Sequence, residues 1–409
     1  MIALTILNTL ILAVVVWLLQ QVRQETDRKI AELSERHGDL ESSLNAQRAG
    51  TERLEDAVRE IRQDQIDARL EQVSDESTEV EYEDPIPYLE EETPSQVLEM
   101  ANRLAVLRPL VPYPGWHFDA DWRNPEMAFR VRQSIWTYFN RRKLAPALDV
   151  GWHHGTRARI YPGNDLSRQL FIAGCIDPNE FVLLDKLLLP GMVFLDVGAN
   201  EGLYSLFASV RVGPSGSVWA FEPSKREIER IAANLELNNL RNVHSLPIAL
   251  ADRDGEGSLL IAGYEHEGHN TLGGFVYDTV LQEEYLVPLR RLDSVVDEWK
   301  IDRVDFIKID VEGAELKVLA GAQETLQRCR PLILFEANSP ALQQQGADNR
   351  ELIRFLTDRR FRIYVCDPAT GFPALAEEGC FSDNMLAVPD ERTLPGSVFR
   401  STPAAAPGG

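Results

Sequence analysis

The sequence predicts an α/β fold, a doubly wound and mostly parallel sheet, preceded by a transmembrane helix and a long coiled-coil helix. Three observations carry that prediction. From about residue 165 onward, short apolar runs that end in acids or glycine turns alternate with amphipathic stretches. An uncharged run from Ile2 to Leu19 opens the chain. Between the two, apolar residues recur three and four positions apart from Ile30 to Ile61.

The first element is the apolar run. At about 1.5 Å per residue it reaches roughly 27 Å as a helix, close to the hydrocarbon thickness of a bilayer. Trp17 sits near its end, where interfacial aromatics collect. A cleaved signal peptide would bring a basic start, a shorter apolar stretch and a small-residue cleavage site, and none is evident. Residues 1–22 therefore read as a retained single-pass anchor. Arg23, Arg28, Lys29 and Arg36 follow it, while only the terminal amine precedes it. The positive-inside rule then places the rest of the chain in the cytoplasm, against the inner membrane.

Residues 23–75 read as a helical stalk. The seam runs Ile30, Leu33, His37, Leu40, Leu44, Gln47, Thr51, Leu54, Val58 and Ile61, of which seven of ten are apolar. Such spacing predicts a coiled coil, and with it a homo-oligomer formed through residues 30–61. Residues 76–98 read as an acidic linker punctuated by Pro85, Pro87 and Pro94. Residues 99–164 extend the globular domain, with a helix expected over Ala128 to Arg142. Residues 165–395 carry the chemistry, and the Ala/Pro/Gly-rich stretch 396–409 is expected to be a disordered tail.

Composition excludes one class of partner. The chain of 409 residues has 42 Lys and Arg against 64 Asp and Glu, a formal charge of −22. Nucleic-acid binders need a basic footprint, which is missing. Ten of the acids lie between Glu71 and Glu92, with no Lys or Arg among them. Cys175, Cys329, Cys366 and Cys380 show no CxxC and no metal-ligand spacing, which fits a reducing compartment.

The chemistry begins at the apolar run Met192 to Leu195, which ends in Asp196-Val197-Gly198-Ala199-Asn200-Glu201-Gly202. An amphipathic stretch, Leu203 to Val210, follows. This is strand, glycine turn and helix, the opening unit of a doubly wound sheet. Gly198 and Gly202 would let backbone approach a ligand, and Asp196 is placed to accept hydrogen bonds from it. The spacing GxGxxG of pyrophosphate-binding turns is absent, which speaks against a nucleotide-dependent oxidoreductase. A second strand, Ser217 to Phe221, ends in Glu222, where an acid can hold two ribose hydroxyls. A nucleoside without pyrophosphate, bearing a carboxylate and a cation among acids, describes S-adenosylmethionine. After the helix Lys225 to Asn239, a third strand over Val243 to Leu250 would bring Ala249 and Leu250 to the adenine. Asp252 would then face its amino group, or serve as an ordinary turn residue.

The densest cluster is Asp305 to Glu315. Alternation puts Phe306, Lys308 and Asp310 on one side and Ile307 and Ile309 on the other. Asp310 ends this strand, Glu312 follows in the loop, and Glu336 ends the next strand, Pro331 to Phe335. A buried Lys308 needs a partner, with Asp310 and Glu336 the candidates. Asp310, Glu312 and Glu336 are the carboxylates expected to take a proton from an acceptor. Asp310 and Glu336 are also the donors a divalent metal would use to hold a diol, although spacing alone establishes no metal. His269, beside Asn270, is a weaker candidate for the acceptor's proton, and reads by default as a solvated loop residue.

These motifs resemble the FkbM-type S-adenosylmethionine-dependent methyltransferases. The residues that carry the likeness are FLDVGANEGLYS (Phe194 to Ser205), FEP (Phe221 to Pro223), DFIKIDVEGAE (Asp305 to Glu315), Gly321-Ala322 and PLILFEAN (Pro331 to Asn338). The upstream DLSRQLFIAGCIDPNE (Asp165 to Glu180) and the late DNMLAV (Asp383 to Val388) are similar too. Where members often carry Glu-Pro, this chain has Asp177-Pro178. The resemblance spans roughly residues 160–390. It implies a class I Rossmann-like methyltransferase that uses S-adenosyl-L-methionine on a hydroxyl of a glycan, lipid-linked or polyketide-like acceptor. It implies a donor site at Asp196, Gly198, Asn200, Gly202 and Glu222, and an acidic signature at Asp310, Glu312, Gly313 and Glu315. The competing expectation is a coiled-coil membrane scaffold whose methyltransferase-fold domain has lost catalysis.

Overall fold

A computed structural model describes residues 89, 92–104 and 125–399, apart from 265, 277–278, 367–371 and 378–381. The anchor, the stalk and residues 76–88, 90 and 91 of the acidic linker lie outside the described residues. Among those described, no helix is long and apolar enough to cross a membrane.

Packing begins earlier than the linker boundary at 98. Helix α1 (Pro94–Arg103) opens on a capping box, in which Thr93 accepts from the Gln96 amide and Gln96 reaches back to the Thr93 amide. Its Val97 and Ala101 are buried, as is Leu89 before it. Polarity on average hid these inward-facing positions. Helix α2 (Pro125–Arg141) covers most of the helix expected there. It is followed by a hairpin of β1 (Leu148–Gly151) and β2 (Arg157–Ile160), then by α3 (Asp165–Ala173) and α4 (Pro178–Leu187).

The main sheet starts with β3 (Val193–Val197), α5 (Leu203–Val212), β4 (Ser217–Phe221), α6 (Lys225–Leu237) and β5 (Val243–Leu246). Here one expected strand becomes two. β5 pairs with β4 as far as Leu246. Pro247, which has no N–H to donate, ends the pairing. Ala249–Leu250 then forms β6, which joins β8 (Leu281–Arg290) and β7 (Gly255–Ala262) in a separate three-stranded sheet. After α7 (Leu292–Glu298) come β9 (Phe306–Ile309), α8 (Glu315–Ala320), α9 (Gln323–Cys329) and β10 (Leu332–Glu336). The chain closes with α10 (Ser339–Gln344), α11 (Asn349–Thr357), β11 (Phe361–Cys366), β12 (Pro373–Leu375) and β13 (Asn384–Pro389).

The eight strands order as β12-β11-β13-β10-β9-β3-β4-β5. The run from β10 to β5 is parallel, and β13 is antiparallel to β10. Helices bury both faces, so strand residues sort by alternation into two cores. Phe194, Phe306 and Leu334 pack with α4 and α5. Leu195, Ile307, Ile309 and Ile333 pack with α7, α8 and α11. The tail boundary at 395 also moves, because Val398 is buried in the first of these cores within a short 3-10 turn, Gly396–Phe399.

Candidate active site

The carboxyl ends of β3, β4, β9 and β10 open onto one cavity of about 360 Å³. β3 has β4 on one side and β9 on the other, so the crossovers leave it in opposite directions. That switch point is where open α/β sheets bind ligands.

Gly198 follows β3 at φ +77°, and a Cβ there would lie 1.7 Å from the Asp310 carbonyl oxygen. Only glycine lets the loops after β3 and β9 touch, so its first task is to let backbone approach backbone. Asn200 is also left-handed, at φ +49°, and its amide donates to Glu222 (2.9 Å). The second Glu222 oxygen accepts from the Ser224 amide (2.9 Å). Two backbone donors thus fix the carboxylate at the tip of β4, on the cavity wall. Burial, then Glu227, pushes its pKa up to about 8.

Four site expectations need correction. Asp196 does not line the cavity. It is fully buried, accepts from Ser205 Oγ (2.6 Å) and lies 3.9 Å from Lys308 Nζ. A strand-end acid can face the ligand or the helix behind it, and the Ser205 hydroxyl takes this one inward. Gly202, at φ +82°, packs on Ile231 where α5 begins and is likewise off the cavity. Asp252 is exposed and pairs with Arg253 (3.2 Å), whereas Ala249 and Leu250 do line the cavity. Lys308 pairs with Asp310 (3.2 Å) and with Asp196, and it donates to the Gly198 carbonyl (3.1 Å). Glu336 is not its partner.

The opposite wall is acidic. Asp310, Glu312 and Glu336 all line it. Glu336 Oε2 is buried with no hydrogen-bond partner. Burial, then Asp310 and Glu312, pushes Glu336 up to about 10. Burial and Asp310 hold Glu312 well above the usual carboxylate range. Glu315 plays a different part, since its carboxylate accepts from the Val311 (3.0 Å) and Gly313 (3.2 Å) amides and shapes the turn. Burial works against the charge on Lys308, but Asp310 and Asp196 outweigh it and hold the ammonium above its ordinary range.

Several wall residues escaped the sequence reading. Asp177, the residue of the Asp177-Pro178 departure, sits in the cavity and accepts from the Tyr204 hydroxyl (2.8 Å). Asp165, Asn270 and Asn384 also line it. So does His269, whose side chain is 27% exposed, far from a solvated loop residue. The loop carrying His269 is tied down by Arg230, which bridges Glu201 (3.0 Å) and Glu267 (2.7 Å). The upstream motif was the one signal for Asp165 and Asp177. Nothing local marked the loop.

Residues 196–363 match the model of the methyltransferase FkbM domain. The chain is 30% identical to the 2-O-methyltransferase NoeI of Sinorhizobium fredii, over 36% of this chain and 63% of that protein. It is 30% identical to the 31-O-demethyl-FK506 methyltransferase FkbM of Streptomyces tacrolimicus, over 33% and 61%. The AMB antimetabolite synthetase AmbE of Pseudomonas aeruginosa is 33% identical over 42% of this chain and 10% of its own length. The chain thus spans between a tenth and about two-thirds of the curated relatives it matches. The matched stretch begins at Asp196 and ends at Ile363, within β11, so it takes in the donor-side loop, Glu222, Asp310, Glu312 and Glu336.

Proposed function

We propose that this chain is an S-adenosylmethionine-dependent O-methyltransferase. Its acceptor would be a glycan, a lipid-linked molecule or another polyhydroxylated small molecule. We further propose that residues 1–22 tether it to the inner membrane with the FkbM domain in the cytoplasm. The observation that carries the reading is the cavity itself, with Glu222 fixed at the tip of β4 facing a wall of carboxylates, inside the FkbM domain.

The residues fit such a donor. Glu222 keeps lone pairs for a ribose diol after accepting two backbone bonds. Ala249 and Leu250 offer an apolar edge to the adenine. When bound, the donor supplies an electrophilic methyl group. The chain's part is to align the acceptor oxygen and accept its proton. Asp310 is the residue proposed for that proton, since Lys308 holds it in place while its side chain stays 34% open to the cavity. Glu336, pushed up to about 10, carries a proton near neutral pH and acts as a hydrogen-bond donor to an acceptor hydroxyl rather than as a base, and burial pushes Glu312 in the same direction.

Titration calorimetry of the purified chain tests the reading. S-adenosylmethionine and its demethylated product should both bind, and NAD should not. A folded chain that binds neither sulfur compound overturns it. The scaffold alternative predicts the same failure, so donor binding separates the two.

A further inference from the structure

The cavity rim holds a group of side chains that the donor and the acidic wall do not use. Asp165 begins α3, and His266 and His269 lie three residues apart in the turn before Asn270. One ligand atom from each of the three lies within 4.8 Å of the others. His269 Nδ1 is 3.7 Å and His266 Nδ1 is 4.0 Å from Asp165 Oδ2. Those separations are too long for hydrogen bonds. Asp165 Oδ2 and His266 Nδ1 are both buried and have no hydrogen-bond partner. Metal–ligand distances of about 2.1 Å put tetrahedral ligands about 3.4 Å apart, so side-chain movements that shorten the separations by about 0.3 to 1.4 Å close the set. Asp310 and Glu336, the pair sequence spacing offered for a metal, are not in this group.

The backbone frame around the three is fixed. The His266 amide donates to the Gly263 carbonyl (3.1 Å) and the His269 amide to the His266 carbonyl (3.0 Å), which turns both imidazoles to one side. Their rings stack at 5.8 Å with 21° between planes. The Glu267 amide bonds to the Gly163 carbonyl (3.2 Å), pinning the turn beside the start of α3. Asn164 caps α3 through its carbonyl oxygen and donates its amide to Asn200 on the β3 loop (3.1 Å). Buried polar atoms without partners are unusual in so well-bonded a frame, and a cation is a group that satisfies the Asp165 carboxylate and the His266 imidazole at once.

We propose that Asp165, His266 and His269 form a binding site for one divalent cation of the zinc class. Two imidazoles and one carboxylate suit such a borderline ion and leave coordination positions open. Asp165 and His269 line the cavity, so those positions face it. There the ion would hold neighbouring hydroxyls of the acceptor, a consequence that rests on the methyltransferase reading. Cation binding itself does not.

The test uses the full chain with any affinity tag removed and the protein stripped by chelator, then equilibrium dialysis against Zn(II). One ion per chain should bind. His266→Ala, His269→Ala and Asp165→Ala should each weaken it by about tenfold or more, while His154→Ala, at the separate Asp185 pair, leaves it unchanged. Less than one ion per chain, or equal binding in all three variants, overturns the proposal. Circular dichroism checks each fold. If a variant is unfolded, the Co(II) spectrum of the unaltered chain decides: bands of nitrogen-ligated Co(II) that zinc abolishes support the site, and the spectrum of the hydrated ion overturns it. Zinc binding without donor binding would sink the methyltransferase reading and leave the metal site standing.

Discussion

At the scale of single residues, the informative comparison is among carboxylates that look alike in the sequence. Asp196, Glu222, Asp310 and Glu336 each sit at a strand's carboxyl end, yet the structure gives them four environments. Asp196 is locked to Ser205 and Lys308, Glu222 to two amides, Asp310 to Lys308, and one Glu336 oxygen to nothing. Asp310→Asn should leave the fold intact, since the side chains are nearly the same size. Transfer of labelled methyl from the donor to envelope extract should fall by roughly 10²-fold or more, the usual scale for a lost base. Calorimetry should show donor affinity changing far less than in Glu222→Ala. Normal turnover in Asp310→Asn with a dead Glu336→Gln would move the proton to Glu336. Glu336 makes a second prediction, on stability. Its folded pKa, about 10, lies above the ordinary 4.5, so the folded state holds the proton more tightly than the unfolded chain. The carboxyl's contribution is therefore complete below the ordinary carboxylate range and declines as pH rises toward 10. Gln imitates the protonated form and does not titrate. The Tm of Glu336→Gln should exceed that of the parent by a margin that grows from about pH 6 to about pH 9. A constant margin would mean the site is wetter than its burial implies.

At the scale of elements, the loops after β3 and β9 work as one unit because Gly198 permits their contact. Gly198→Ala places a methyl carbon 1.7 Å from the Asp310 oxygen at a positive φ, so backbone must move. Urea denaturation should show a loss of more than about 2 kcal/mol. Gly346→Ala also has a positive φ, at +79°, but open space around it, and should lose only about 1 kcal/mol. Equal losses would show that conformation alone, not the contact, decides. The same elements show what was legible in the sequence. β4 coincides with its expected span, Ser217 to Phe221, and β9 separates Phe306 and Lys308 from Ile307 and Ile309 as alternation required. A period of two survives because both faces of the sheet are buried. The strand over Val243 to Leu250 was misread because apolar character continues through Pro247, and hydropathy does not register a missing N–H. Asp252 was misread because a turn acid and a ligand acid have the same local sequence. Asp165 and Asp177 share one upstream motif, but His269 and Asn384 come from segments far from it and from each other, so their meeting at the cavity has no period to read.

At the scale of the molecule, the acidity and the apolar start make separate predictions. The chain divides into a unit of residues 1–83 and a unit of residues 84–409, and the second contains every residue of the cavity. Among the described residues, its buried cores draw on Leu89 and later residues. If Ile2–Leu19 anchors the protein, the full chain should sediment with membranes and resist extraction by high salt or alkaline carbonate. Salt would release a chain held by charge alone, because exposed charges are screened over about 10 Å at 0.1 M ionic strength and less above it. Residues 84–409 expressed alone should appear in the soluble fraction and bind the donor within about threefold of the full chain, a difference of about 0.7 kcal/mol. A reporter at the C-terminus of the full chain should be active only in its cytoplasm-dependent form, as Arg23, Arg28, Lys29 and Arg36 require. These outcomes are independent. A full chain released by salt refutes the anchor and leaves the site untouched, and a periplasm-dependent reporter that is active refutes the orientation alone. A soluble 84–409 unit that melts cooperatively but binds donor far more weakly would assign part of the donor site to residues 1–83.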